Sequence, residues 1–182
     1  METLKTIIAE ITQVIDKLDE GQIVTFASEL LAAPRVFVTG KGRSGLMAKA
    51  FAMRLMHLGL TVYVVGETTA PAIENYDTLV AVSGSGTTAE TLHVVEQAKK
   101  RGCTIFVVTT NPESPLAKST TLSLIIPAAT RWRREGEVAT QQPLGSLFDQ
   151  CSHIALDAIC LQIANSKHID NEMARERHSN TE

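Results

Sequence analysis

Five short runs rich in β-branched and apolar residues punctuate the chain: Arg35–Thr39, Thr61–Val65, Leu79–Val82, Thr104–Thr109 and Leu122–Ile126. Most of the sequence between them has helical period. Strands alternating with helices of ten to fifteen residues build right-handed β-α-β units, which lay the strands parallel and cover both faces of the sheet. The expected fold is therefore α/β, a three-layer α-β-α sandwich around a five-stranded parallel sheet of order 2-1-3-4-5. In that order the switch point falls between the first and third strands, and a ligand belongs in the crevice at their carboxyl ends.

Ahead of the first strand, Leu4, Ile7, Ile8, Ile11, Val14, Ile15 and Leu18 fall on one helical face. A second helix is expected over Gln22–Leu31, stopped by Pro34. The apolar stripe of the first helix fits either a partner subunit or its own domain. Further helices are expected over Leu46–Leu58, with Met47, Phe51, Leu55 and Leu58 on one side, over Ala89–Arg101, and from Gly145 to about Asn165. Ser114 caps a short helix that has Pro115 at its first position. The segment 128–143 has no clear period, carries Arg131, Trp132, Arg133 and Arg134, and is long enough for a functional loop. The reading is one domain over 1–182, with N-terminal helices at 1–33, an α/β core at 34–166 and a polar tail at 167–182.

With 182 residues, 44% of them apolar, the chain can bury an extended core. A net charge of −3 gives no global basic field, so nucleic acid is not an expected partner. Glu2, Glu10 and Asp16 interrupt the N-terminal apolar residues, and no apolar run approaches the ~20 residues of a membrane span. Cys103, Cys151 and Cys160 lie in apolar stretches without C-x-x-C spacing, which predicts buried thiols and a cytoplasmic location. His93 and His153 have no partner at ligand spacing, and no metal is expected.

Two glycine-rich loops follow the two strands at the switch point. Ser83-Gly84-Ser85-Gly86-Thr87-Thr88 passes from strand three into a helix. Two glycines admit a ligand close to the backbone, four hydroxyls supply donors, and the helix start leaves N–H groups unpaired, so the loop is read as a phosphate cradle. Gly40-Lys41-Gly42-Arg43-Ser44-Gly45 follows strand one. Its glycine spacing also matches the dinucleotide fingerprint, with Glu67 where a ribose-binding acid would stand. That alternative accounts neither for the second loop nor for the polar Lys41, Arg43 and Ser44.

Several segments together resemble a known family: Gly40 to Lys49, Phe51-Ala52-Met53-Arg54-Leu55-Met56-His57-Leu58-Gly59, Val65-Gly66-Glu67-Thr68, Ser83 to Thr87, and Gln142-Pro143-Leu144-Gly145-Ser146-Leu147-Phe148. They are similar to the 6-phospho-3-hexuloisomerases of the sugar isomerase (SIS) superfamily. The resemblance implies interconversion of 3-hexulose 6-phosphate and fructose 6-phosphate in formaldehyde fixation by the ribulose monophosphate pathway. It implies no cofactor, a phosphorylated ketohexose as substrate, and a homo-oligomer, tetramer or dimer, with sites near subunit contacts. In that family the residue after the Q-P-x-G-x-x-F segment is usually a glutamate that accepts the substrate proton; here it is Asp149. By the same resemblance Glu67 is the second acidic candidate, Arg43 stabilises enediolate charge, and His178 is an acid, in its own or a neighbouring subunit. Gly40, Ser44 and Ser83, Gly84, Ser85, Gly86, Thr87 and Thr88 are expected to hold the substrate. Another phosphosugar isomerase and a non-catalytic phosphosugar-binding module are the alternatives.

Overall fold

A computed structural model describes residues 2–181. The strands are β1 (Val36–Gly40), β2 (Val62–Val64), β3 (Thr78–Val82), β4 (Thr104–Thr109) and β5 (Leu122–Ile125). They form one parallel sheet in the order β2-β1-β3-β4-β5, as the strand–helix alternation predicts. The helices are α1 (Glu2–Ile15), α2 (Glu20–Ala32), α3 (Gly42–His57), α4 (Ala89–Lys100), α5 (Ser146–Ser166) and α6 (Asn171–Glu176). Successive strand residues point to opposite faces. Val36, Val38, Val80, Val82, Phe106, Val108 and Leu124 therefore pack with α2, α3 and α5, whereas Phe37, Leu79, Ala81, Ile105 and Val107 pack with α4. Every residue of β3 is buried, the burial expected of a central parallel strand. At the amino ends of β1 and β3, Arg35 makes a bidentate pair with the fully buried Asp77, with both contacts at 2.7 Å. This pair braces the pole of the sheet opposite the carboxyl ends.

Local differences from the expected elements have identifiable causes. Helix α3 begins at Gly42 rather than Leu46, because Gly42 takes a φ of 57° and lets the chain enter the helix inside the glycine-rich loop. The Ser114–Pro115 segment forms only a turn and a 3-10 element at Ala117–Ser119. The tail contains α6, whose N-cap Asp170 accepts a hydrogen bond from the Met173 N–H. The α1 stripe is divided. Val14 is buried in the core shared with α5, while Leu4 and Ile8 remain exposed. All three cysteines are buried and unpaired. Among the described residues no helix is long and apolar enough to cross a membrane.

Candidate active site

Three helices begin around one cleft. Lys41, Thr88 and Gly145, the N-cap residues of α3, α4 and α5, all line a cavity of about 500 Å³, and none of them caps its helix with a side chain. Elsewhere in the molecule, α2 and α6 are capped by Asp19 and Asp170. Unpaired N–H groups and the positive ends of three helix dipoles thus meet at the carboxyl ends of β1 and β3, an arrangement that favours an anion.

The Ser83–Thr88 loop is shaped by its glycines. A Cβ on Gly84 would stand 2.9 Å from the Phe148 ring, and one on Gly86, whose φ is 63°, would stand 2.2 Å from Ser114 Oγ. The Gly84 carbonyl accepts from Thr110 N–H, Thr110 Oγ1 and Thr109 Oγ1 at 3.2, 2.9 and 3.2 Å. Because the peptide is trans, pinning this carbonyl toward β4 turns the Ser85 N–H the other way. Ser83 and Thr88 close the loop through their hydroxyls at 3.1 Å.

Asp149 lies in the first turn of α5, only 4% exposed, and accepts a hydrogen bond from Arg43 Nε at 2.7 Å. Burial raises its carboxyl above the ordinary range; the hydrogen bond and charge of Arg43 and a bond from Ser44 oppose this without cancelling it. The result is a carboxylate more basic than a solvated aspartate, set beside a guanidinium that faces the same cleft.

Opposite lies the 128–145 segment. The Glu137 carboxylate accepts from the Thr130 and Arg134 N–H groups and from the hydroxyls of Thr130 and Thr110, which fastens the loop to the end of β4. Arg133 donates to the carbonyls of Thr130, Gln142 and Leu144 at 2.7, 2.6 and 2.7 Å. From α1, the buried Glu10 accepts from Thr140 Oγ1, Gln141 N–H and Gln142 Nε2 at 2.6, 2.7 and 3.0 Å. Burial pushes the Glu10 carboxyl up, but these bonds and the charge of Arg133 outweigh it and hold the carboxyl below its usual value.

The cleft brings together Asp149, Arg43, Ser44, Ser83, Gly84, Ser85 and Thr88. Gly40, Gly86 and Thr87 do not line it. Gly40 and Gly45 instead allow α3 to sit against the strand ends, since a Cβ on Gly45 would come 2.7 Å from the Gly40 oxygen. Glu67 pairs with Lys49 at 2.6 Å and lines a separate cavity of about 490 Å³ with His93 and Arg101. It projects from the end of β2, beyond β1 from the cleft. His178 stacks near His57, with Nδ1 3.0 Å from His57 Nε2, at the far end of α3. Sixteen helical residues, about 24 Å, separate that end from the cleft within the chain. Sequence reasoning left Lys41, Thr130, Arg131, Trp132 and Leu144 without a site role, and all of them line the cleft. For Thr130, Arg131 and Trp132 the sequence signal was the length and arginine content of the 128–143 loop, whereas Lys41 lies in the first glycine-rich loop and Leu144 in the Gln142–Phe148 segment. The scaffold role of Glu10 had no sequence signal, because its partners are 130 residues away.

Comparison with known proteins accords with this geometry. The SIS domain profile matches residues 29–141. The chain is 42% identical over 173 residues to a 3-hexulose-6-phosphate isomerase of Mycobacterium gastri, covering 95% of this chain and 86% of that one. It is 38% identical over 156 residues to a protein of the same name from Bacillus subtilis, covering 86% and 84% respectively. A Methanococcus jannaschii protein, whose crystal structure led to an inferred function of 3-hexulose-6-phosphate isomerase, superposes with a TM-score of 0.86 at 28% identity over 100% of both chains. A strand order with its switch point at two glycine-rich loops, three uncapped helix starts and near-full-length kinship lead to one conclusion: the chain belongs to the SIS domain family and groups there with the 3-hexulose-6-phosphate isomerases.

Proposed function

We propose that the protein interconverts D-arabino-hex-3-ulose 6-phosphate and D-fructose 6-phosphate through a 2,3-enediolate, in the ribulose monophosphate route of formaldehyde assimilation, as a cytoplasmic homo-oligomer. The observation that carries this reading is a single buried carboxylate of raised basicity in a cleft where three helix starts favour negative charge. The substrate phosphate sits on the Ser83–Thr88 loop, with Ser44 on the facing helix start. Asp149 removes the C2 proton, electron density moves onto O3, and the enediolate forms. Proton transfer from O2 to O3 and return of the carbon-bound proton from Asp149 to C3 complete the shift of the carbonyl from C3 to C2. One carboxylate serves both carbon transfers because C2 and C3 are adjacent. Arg43, already 2.7 Å from Asp149, stabilises the enediolate oxygens as their charge develops. The forward substrate, blocked at O6, cannot close a five- or six-membered ring and enters open-chain. His178 then serves only cyclic fructose 6-phosphate, from a neighbouring subunit.

An assay that couples fructose 6-phosphate formation to its oxidation tests the reading. Wild type should turn over 3-hexulose 6-phosphate, and Asp149→Ala should lose about 10²- to 10⁴-fold in kcat, the usual worth of a general base. Binding without turnover would make the protein a phosphosugar-binding module. Preferential turnover of a pentose or heptose phosphate would assign another substrate, and activity surviving in Asp149→Ala would remove the proposed base.

A further inference from the structure

The cationic side chains lining the cleft are Lys41, Arg43 and Arg131, and its one carboxylate is Asp149. Arg43 is taken up by Asp149. Lys41 and Arg131 have no acidic partner among the described residues. Two unpaired positive charges thus face a cavity in a chain whose overall charge is −3. A phosphate monoester carries about −1.5 to −2 at pH 7, so the local excess matches one such group.

Arg131 is also held in a particular way. Its guanidinium carbon lies 4.5 Å from the centroid of the Trp132 ring. A guanidinium seated over an indole face is held in place by cation–π attraction while its N–H groups stay available, which suits a two-pronged grip on phosphate oxygens. The loop beneath is strained and clasped. Three non-glycine residues among those described have positive φ, and two of them, Arg133 at 46° and Leu144 at 52°, flank this cleft and are joined by the Arg133 Nη1 bond to the Leu144 carbonyl. Each left-handed residue costs on the order of 1 kcal/mol, so a clasp joining two of them marks a conformation that the surrounding contacts impose. The Trp132 N–H is tied to Thr130 Oγ1, and Thr130 to Glu137, so the base of the loop is fixed while Arg131 and Trp132 stay exposed at its tip.

We propose that Arg131, seated over the Trp132 ring, is a phosphate-recognition residue that grips the phosphate from the side opposite the Ser83–Thr88 loop, with Lys41 completing the charge match. The proposal rests on the phosphosugar reading of the same cleft and adds to it a specificity determinant outside the glycine-rich loops. Trp132 is the platform, and as the single tryptophan of the chain it is also the reporter.

The experiment is a titration of tryptophan emission with fructose 6-phosphate, fructose and inorganic phosphate, run alongside steady-state kinetics. Fructose 6-phosphate should perturb the emission, inorganic phosphate should compete with it, and fructose at equal concentration should do neither. Arg131→Ala should weaken fructose 6-phosphate binding by about 10- to 100-fold, the loss expected of one charge-assisted contact, and raise KM in proportion with kcat within about twofold. Arg131→Lys should recover only part of the loss, because charge returns without the planar grip. The thermal midpoint of Arg131→Ala should match wild type, since the side chain is exposed. Binding by Arg131→Ala within about twofold of wild type would overturn the proposal, as would a fall in kcat at unchanged KM or an equal response to fructose. If wild type fails to turn over the 3-hexulose phosphate but Arg131→Ala still weakens phosphosugar binding, the isomerase reading fails and this one stands.

Discussion

Replacing Glu10 with glutamine tests whether α1 holds the cleft in shape. The carboxylate accepts three hydrogen bonds from the 140–142 segment, and Gln142 passes the connection on through its Oε1 to Gln150 Nε2 at 2.8 Å, one residue beyond Asp149. An amide in the same place has one accepting oxygen. Its better orientation keeps the oxygen toward Thr140 and Gln142 and turns its own N–H₂ onto the Gln141 N–H, so one bond is lost and two lose their ionic character. Hydrogen bonds to a charged group are worth about 1.5–3 kcal/mol, against about 1 for neutral ones. The cheaper burial of a neutral amide offsets part of this, which leaves a net loss of about 2 kcal/mol. For a chain of this length that is a fall of about 4–8 °C in thermal midpoint by circular dichroism at pH 7. The pH dependence has a definite sign. The folded pKa of Glu10 is depressed below 4.5, so its contribution is present above that value and is lost as pH falls through the depressed one. The gap between wild type and Glu10→Gln should therefore be constant from about pH 8 to 5 and narrow in more acid solution. A midpoint within about 1 °C of wild type at pH 7, or a gap that widens with acid, would refute the reasoning.

Asp149 has the opposite sign. Its raised folded pKa means that ionisation opposes folding, and Arg43, 62% exposed at the side chain, is hydrated without it. Asp149→Asn should therefore be inactive yet unfold at or above the wild-type temperature at pH 7, with the advantage disappearing in acid below the ordinary carboxylate range; a midpoint several degrees lower would contradict this. In wild type, kcat/KM should fall on the acid side with an apparent pKa above the usual aspartate value, measurable as a pH profile. Gly86→Ala should cost about 3 kcal/mol or more in urea unfolding, because the new Cβ meets Ser114 Oγ at 2.2 Å in a left-handed backbone conformation.

Much of the fold was legible in the sequence because its signals are local. Short β-branched and apolar runs closed by glycine or proline marked all five strands within a residue or two, and right-handed crossover connections then left little freedom in the order β2-β1-β3-β4-β5. The α6 helix escaped because six residues carry too little periodicity, and Asp170 was its one local mark. The two loops at the switch point were legible for the same reason, since glycines and hydroxyls between a strand and a helix have few other uses.

Within those loops, however, the sequence could not separate the glycines that face a ligand from those that let elements touch. Gly40 and Gly86 are required by Gly45 and Ser114, contacts that exist only once α3 and the Ser114 turn are in place. Residue chemistry by itself marked the Ser83–Thr88 loop, the family resemblance marked Asp149 and Arg43, and the strand pattern set the parallel sheet that gathers them. Tertiary structure decided that Asp149 meets Arg43 across 106 residues, that Glu67 and His178 point elsewhere within the chain, and that Arg131 and Trp132 form the opposite wall. Local pattern determines secondary structure through steric and burial preferences of neighbouring residues. A site is a set of distances between residues far apart in the chain, and only the packed core specifies those.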